Sequence, residues 1–169
     1  MPITNPAQRQ MFNANYENLG HYLTDNERIP HLNPADSGDL ILPGEPILKQ
    51  WGASGHRYVF MAQGPIRPGE IGYLVRNFKA KFPADLSANV VQGAELYWDE
   101  DESVVSLVGD VTNGYRIGYA DYVLDPNLKN DGLEVDGNGR VICGTDESTH
   151  VVVQSQDSNT TTKGTVTVF

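Results

Sequence analysis

The residues able to bind a metal or move a proton stand far apart in this 169-residue chain. His21, His31, His56 and His150 fall at neither the H-E-x-x-H nor the H-x₃₋₅-H spacing by which two imidazoles meet one zinc ion. Cys143 is the only cysteine, so no internal disulfide can form, and its place between Val141-Ile142 and Gly144 predicts a buried, inert thiol. There is no G-x-S-x-G nucleophile elbow and no phosphate-cradling G-x-x-x-x-G-K-[ST] loop. The run Asp99-Glu100-Asp101-Glu102 could hold a hard cation, or Asp99 and Glu100 with Asp121 could supply the carboxylates of a hydrolase. It lies between Leu96-Tyr97-Trp98 and Val104-Val105, where a hairpin turn belongs, and a solvated turn is the expectation. Glu134-x-Asp136-x-Asn138-Gly139 opens like a calcium loop, but Thr145 stands where the closing Glu should be. Trp51, Trp98 and eight tyrosines could stack on sugars. Trp98 lies inside an apolar strand and is expected in the core, which leaves Trp51, in Lys49-Gln50-Trp51-Gly52, as the contact candidate. The sequence therefore assigns no catalytic residue, no metal ligand and no cofactor, and predicts a protein that is not an enzyme.

The elements that would position these residues are strands. Seventeen glycines and ten prolines are scattered without a short period, which favours many turns over long helices. A turn-then-strand unit recurs from Ser37 onward. Ser37-Gly38-Asp39 leads into Leu40-Ile41-Leu42, and Pro68-Gly69-Glu70 into Ile71 and Tyr73-Leu74-Val75. Gln92-Gly93-Ala94-Glu95 leads into Leu96-Tyr97-Trp98, and Asn113-Gly114 into Tyr115–Ala120, where Tyr115, Ile117 and Tyr119 alternate with Arg116, Gly118 and Ala120. Further strands are predicted at His56–Met61, Ser103–Val108, Arg140–Cys143 and His150–Gln154. The fold class expected is all-β, a small antiparallel β-barrel or sandwich over residues 37–154, with 125–139 as an insertion loop.

The ends read differently. Residues 1–36, interrupted by Pro2, Pro6, Pro30 and Pro34, read as an extended arm whose Phe12, Tyr16, Leu19, Tyr22 and Leu23 dock on a surface, its own or another's. Residues 155–169 read as a polar linker and a terminal strand, Thr165-Val166-Thr167-Val168-Phe169, which either closes the parent sheet or adds to a neighbour's edge. The net charge of −10 works against nucleic acid and anionic membranes as partners. Met1–Gln10 is polar and lacks the apolar stretch of a signal peptide, so a cytoplasmic site of synthesis and assembly is expected.

Gln92-Gly-Ala-Glu-Leu-Tyr-Trp-Asp99 resembles the "G-x-x-[VL]-Y-W-D" strand of the tailed-phage capsid decoration, or cement, protein family, once labelled as predicted recombinase-associated phage proteins. Other family motifs have counterparts in the same order. They are Gly38-Asp39-Leu40-Ile41-Leu42, Pro68-Gly69-Glu70-Ile71-Gly72, Phe78-Lys79-Ala80-Lys81-Phe82, Gly114–Ala120 and His150–Gln154. The resemblance covers residues 37–154. It implies a β-barrel that binds the outer surface of a phage head, commonly as a homotrimer, and holds adjacent major capsid subunits together. The partners it implies are the major capsid protein and further copies of the chain, and the location is the outside of the virion. Under this reading Phe12, Tyr16, Leu19, Tyr22 and Trp51 are contacts with capsid or neighbours, and Val166, Val168 and Phe169 pair with an adjacent subunit. The alternative is a virion-surface glycan-binding module built on Trp51.

Overall fold

The structure, a computed structural model, describes residues 28–52, 55–122, 134–156 and 159–169. Among them the chain is all-β, with antiparallel sheets and no α-helix. The first sheet is built from β1 (Arg28–Leu32), β2 (Pro46–Gln50), β3 (Arg57–Ala62) and β4 (Ile71–Val75), in the spatial order β1-β4-β3-β2. The second is built from β5 (Lys79–Pro83), β7 (Glu95–Asp99), β8 (Val104–Ser106), β9 (Gly114–Asp121), β11 (His150–Ser155) and β12 (Thr162–Lys163). Its order is β5-β11-β9-β7-β8, with β12 also on β9. β6 (Val90–Val91) and β10 (Ile142–Gly144) form a small separate pair.

The turn expected at Pro68-Gly69-Glu70 forms, and a second of the same kind forms at Leu42–Glu45. Leu42-Pro43-Gly44-Glu45 and Arg67-Pro68-Gly69-Glu70 each close with a bond from the fourth N–H to the first carbonyl, both 3.0 Å. Proline fixes the second residue and the glycines take φ of +80° and +84°, the signature of a type II turn.

Two hydrophobic cores result. The main core lies inside the second sheet, where Leu96, Trp98, Tyr115, Ile117, Phe82 and Val153 meet Leu48, Val59 and Met61 from the first. The smaller core holds Ile41, Ile47, Phe60, Ala62, Ile66 and Leu74. Neighbouring residues of β2 and β3 thus serve opposite cores: Ile47 and Phe60 one, Leu48 and Val59 the other. A strand buried on both faces has no polar alternation, which is why Pro46–Gln50 escaped a strand assignment from sequence.

The first sheet is strongly curled. Its edge strands β1 and β2 are three strands apart, roughly 14 Å in a flat sheet, yet Lys49 Nζ lies 2.9 Å from His31 Nδ1. Phe169 lies on the open side of β2, donating its N–H to the Leu48 carbonyl and accepting from Gln50 N–H, both at 2.9 Å. Its ring meets the His31 ring edge-on at 5.1 Å. The second sheet curls too, its two ends meeting at a single parallel bridge between Ala84 and Val105. Neither sheet closes into a barrel, and an open sandwich is the form the chain takes.

Three expectations from sequence need correction. Residues 28–36 are not arm: Arg28–Leu32 is a full strand paired with β4. Thr165–Phe169 is not a regular strand. The ladder at this end is Thr162–Lys163 on β9, inside the stretch read as linker, because β9 there offers Tyr115 and Gly114 as partners. Leu40–Leu42 contributes only an isolated bridge between Ile41 and Ile66.

Candidate binding surface

Asn33 N–H donates to the Glu70 carbonyl at 3.0 Å, continuing the β1–β4 register. Counting back two residues at a time gives His31 and Ile29 the bonds to β4 and leaves Pro30 between them, its N-substituted side turned to the free edge. The same parity sends alternate side chains out. Leu32 stands directly across from Ile71, and Pro30 from Tyr73. Leu32, Ile71 and Tyr73 are 53%, 70% and 55% exposed, so one face of two paired strands is a continuous apolar stripe in solvent. Arg28 closes one end, its guanidinium 5.7 Å from the Tyr73 ring centre, with Nη1 donating to Gln63 Oε1 at 3.3 Å. Beside the stripe is a cavity of about 250 Å³ lined by Gln63, Gly64, Pro65, Ile66, Gly72 and Tyr73. Nothing in the sequence placed Leu32 beside Ile71. Only the register between two strands distant in the chain does so.

Trp51 follows β2, is 39% exposed and packs edge-on against Phe60 at 6.2 Å. Its N–H donates to the His56 carbonyl at 2.8 Å, and the Tyr58 ring in turn meets the His56 ring at 6.2 Å and the Arg76 guanidinium at 5.2 Å. Phe12, Tyr16, Leu19 and Tyr22 lie outside the described residues. Of the three tail candidates, Val166 packs on the main core and Phe169 on the smaller one, while Val168 is exposed. A neighbour's strand is not needed to pair Phe169, since the edge of its own β2 satisfies its backbone.

Between the segment that follows β1 and the tail lies a cavity of about 450 Å³, lined by Ile41, Ile47 and Phe169 and by Asp36, Asp39 and Thr167. His31 is buried beside it. Burial, and then the Lys49 ammonium, lower its pKa from 6.5 to about 4. Lys49, which must donate to Nδ1, is itself lowered by burial.

The acidic run forms the β7–β8 turn, as expected, but it is not uniformly solvated. Asp99 and Glu100 are buried. Asp99 Oδ1 accepts the N–H groups of Asp101 and Glu102 at 3.0 and 3.2 Å, and Glu100 Oε2 accepts Thr167 N–H at 3.2 Å. These carboxylates are consumed in shaping the turn and tying down the tail. The fold brings Asp85 and Asp110 to Asp99 and Glu102 around a cleft of about 380 Å³, where Asp110 accepts the Ser87 hydroxyl at 2.6 Å. Asp121 is at the far end of the β7–β9 pair, about 23 Å of strand from Gly114, which faces Asp99. It is ion-paired to Lys79 at 3.2 Å. The three carboxylates weighed for hydrolysis thus do not converge. Asp136 is held by the N–H groups of Arg140 and Asn138, both 2.9 Å, which with the Arg140 charge lower its pKa, so it caps a hairpin turn. Burial pushes the Cys143 thiol up to about 11 and keeps it a thiol. Among the described residues no three His, Cys, Asp or Glu side chains gather to hold a metal ion.

Charge is divided unevenly between the sheets. Residues 28–76 carry five basic and four acidic side chains, whereas the described residues from 77 onward carry five basic and twelve acidic. The geometry offers a nearly neutral, apolar-striped face on one sheet and a strongly acidic body behind it. Comparison with protein-family models, with curated proteins and with solved structures finds no match for the chain.

Proposed function

We propose that the chain is a capsid decoration protein, which binds the outer surface of a tailed-phage head and holds neighbouring major capsid subunits together without catalysing a reaction. The observation that carries this reading is the exposed Leu32–Ile71–Tyr73 stripe on a sheet with almost no net charge, backed by an acidic body. A protein that must sit on a surface and stay soluble benefits from that division. The apolar side supplies non-directional attraction, and the acidic side repels further layers. The ordered series of short motifs around Leu96-Tyr97-Trp98-Asp99 supports the same family assignment. Copies repeated over a shell act by avidity, so each contact can be weak. The partners are the major capsid protein and further copies of the chain, as a homotrimer. A second reading, a glycan-binding module, is favoured by one observation, the exposed Trp51, whose backbone N–H bonds the carbonyl of His56, itself in ring contact with Tyr58.

Co-sedimentation with expanded heads lacking the protein tests the proposal. The intact chain should pellet with the heads, and Ile71→Asp with Tyr73→Asp should weaken binding at least tenfold. Undiminished binding of that variant would refute the role of the stripe. Light scattering should give three times the chain mass of 18.6 kDa for the trimer. A monomer would remove that part of the proposal. Glycan binding abolished by Trp51→Ala, with head binding absent, would move the assignment to the second reading.

A further inference from the structure

We infer that Asn138 is a site of spontaneous covalent modification, where the side-chain amide is lost and the main chain is rerouted through an isoaspartyl link. Two Asn-Gly pairs occur in the chain, Asn113-Gly114 and Asn138-Gly139. In such a pair the glycine nitrogen can attack the asparagine Cγ, because no Cβ on the following residue obstructs the approach. The nitrogen gives up its proton to hydroxide and forms a bond to Cγ. The bond from Cγ to the amide nitrogen breaks, and ammonia leaves behind a cyclic imide. Water then opens the imide at one of its two carbonyls. One opening leaves aspartate, and the other leaves isoaspartate with one more methylene in the main chain. Water is the only co-reactant, and nothing is oxidised or reduced.

The fold treats the two pairs oppositely. Asn113 is clamped, its Nδ2 donating to Asp101 Oδ2 and its Oδ1 accepting the Thr165 N–H, both at 3.0 Å. Gly114 is buried in the ladder between Asp99 and Lys163, and the Trp98 carbonyl oxygen fills the space where a Cβ would stand. Its nitrogen and the Asn113 Cγ cannot close on each other without opening the centre of the second sheet. Asn138 and Gly139 are both exposed. The Asn138 carboxamide makes no hydrogen bond to any described residue, and no atom lies within 4 Å of a Cβ built on Gly139. The Gly139 N–H is held by one bond, to the Asp136 carbonyl at 3.0 Å. That bond closes the tip of a solvent-exposed turn, and such tips open at far lower cost than central strands do.

The consequence is local. Asp136 Oδ1 accepts the N–H groups of Asn138 and Arg140, both at 2.9 Å, and Asp136 N–H donates to the Arg140 carbonyl at 2.8 Å. An added methylene lengthens the chain that these bonds close over, and the new carboxylate stands beside that of Asp136, like charge against like. Beyond the turn the hairpin continues only through the bridge from Val135 to Val141 and the bond from Ile142 N–H to the Glu134 carbonyl. The change thus loosens this hairpin and adds one negative charge to the net of −10, while the two cores are untouched.

Incubation of the full-length chain in mildly alkaline buffer, followed by peptide mapping with fragmentation that separates isoaspartate from aspartate, tests the inference. In the folded chain Asn138 should convert at least tenfold faster than Asn113. In urea the two should convert at similar rates, since each is then a free Asn-Gly pair. Asn138→Gln should remove the earliest isoaspartate to form, and retained hydrogen-exchange protection of β7 and β9 certifies that this variant is folded. Equal rates in the folded chain overturn the inference, and so does conversion of Asn113 first. An unchanged Asn138, over a period in which the chain in urea converts fully, overturns it by showing that the turn bond protects the Gly139 nitrogen. No head is present in this experiment, so its result is independent of the decoration reading.

Discussion

The two sheets differ in what covers their outer sides. On the second, Tyr97 lies under Lys163, Arg116 is paired with Glu95 at 3.2 Å, and Thr160 donates its hydroxyl to the Arg116 carbonyl. Tyr97 and Arg116 there are both tied to the segment that begins at residue 159. On the first, Leu32, Ile71 and Tyr73 stand in solvent. Both sheets have sound inner packing, so the difference is not one of folding. It separates a sheet whose outer side is finished by its own chain from one whose outer side is available. If that contrast is sound, substitutions in the second sheet should read out as stability and substitutions on the outer first sheet as binding.

The largest effect is expected at Gly114. A Cβ there would lie 2.0 Å from the Trp98 carbonyl oxygen and 2.7 Å from Val111 Cγ1. The oxygen belongs to the backbone of the paired strand β7, which cannot yield without breaking the central ladder. Gly114→Ala should lower unfolding stability by about 3 kcal/mol or more, at the upper end of what overpacking costs, as measured by urea denaturation. A loss under about 1 kcal/mol would mean that the β7–β9 junction is softer than its spacing indicates.

A smaller effect belongs to the seam of the first sheet, where His31 sits neutral against Lys49. The folded chain holds its pKa at about 4, below the ordinary 6.5, through burial and then the Lys49 charge. Between those two values the unfolded chain binds a proton that the folded chain refuses. The contribution of His31 is therefore complete above pH 6.5 and is lost as pH falls toward 4. The loss across that window should be about 2 kcal/mol, discounted from a full-shift limit of about 3 kcal/mol. His150, also lowered by burial, acts in the same direction. His31→Gln keeps an acceptor for Lys49 but does not titrate, so its stability should fall less across this window than that of the unaltered chain. Parallel curves would show that the seam opens before His31 is protonated.

Much of the second sheet was legible in the sequence, and less of the first, for a physical reason. Leu96-Tyr97-Trp98 and Tyr115–Ala120 stand out as strands because their turns are glycine-marked and their apolar residues pack on the core, whereas His150–Gln154 is legible from its valines alone and Phe78–Phe82 only through the resemblance. β2 shows no alternation because Ile47 and Leu48 feed different cores, and β1 carries Pro30, which only the free edge of a sheet tolerates. The stripe itself was invisible. Leu32 was assigned to an arm and Ile71 to a strand, and their neighbourhood exists only through long-range pairing of β1 with β4. The acidic run misled in part because side-chain type does not show that Asp99 and Glu100 are needed by backbone N–H groups at the turn and the tail. Trp51 and Trp98 were separable by local context alone, one beside a glycine at a strand end and the other inside an apolar run.

The finest test of the contrast uses one residue type on both sheets. Tyr97 and Tyr73 both point outward, at 5% and 55% exposure. Tyr97→Ser uncovers a buried ring site beneath Lys163 and should cost about 2 kcal/mol. Tyr73→Ser should stay within about 0.5 kcal/mol, as substitutions of exposed side chains do, when both variants are read by urea denaturation. Equal costs at the two tyrosines would mean that the outer sides of the two sheets do not differ in what covers them, and the contrast drawn from their exposures would fail.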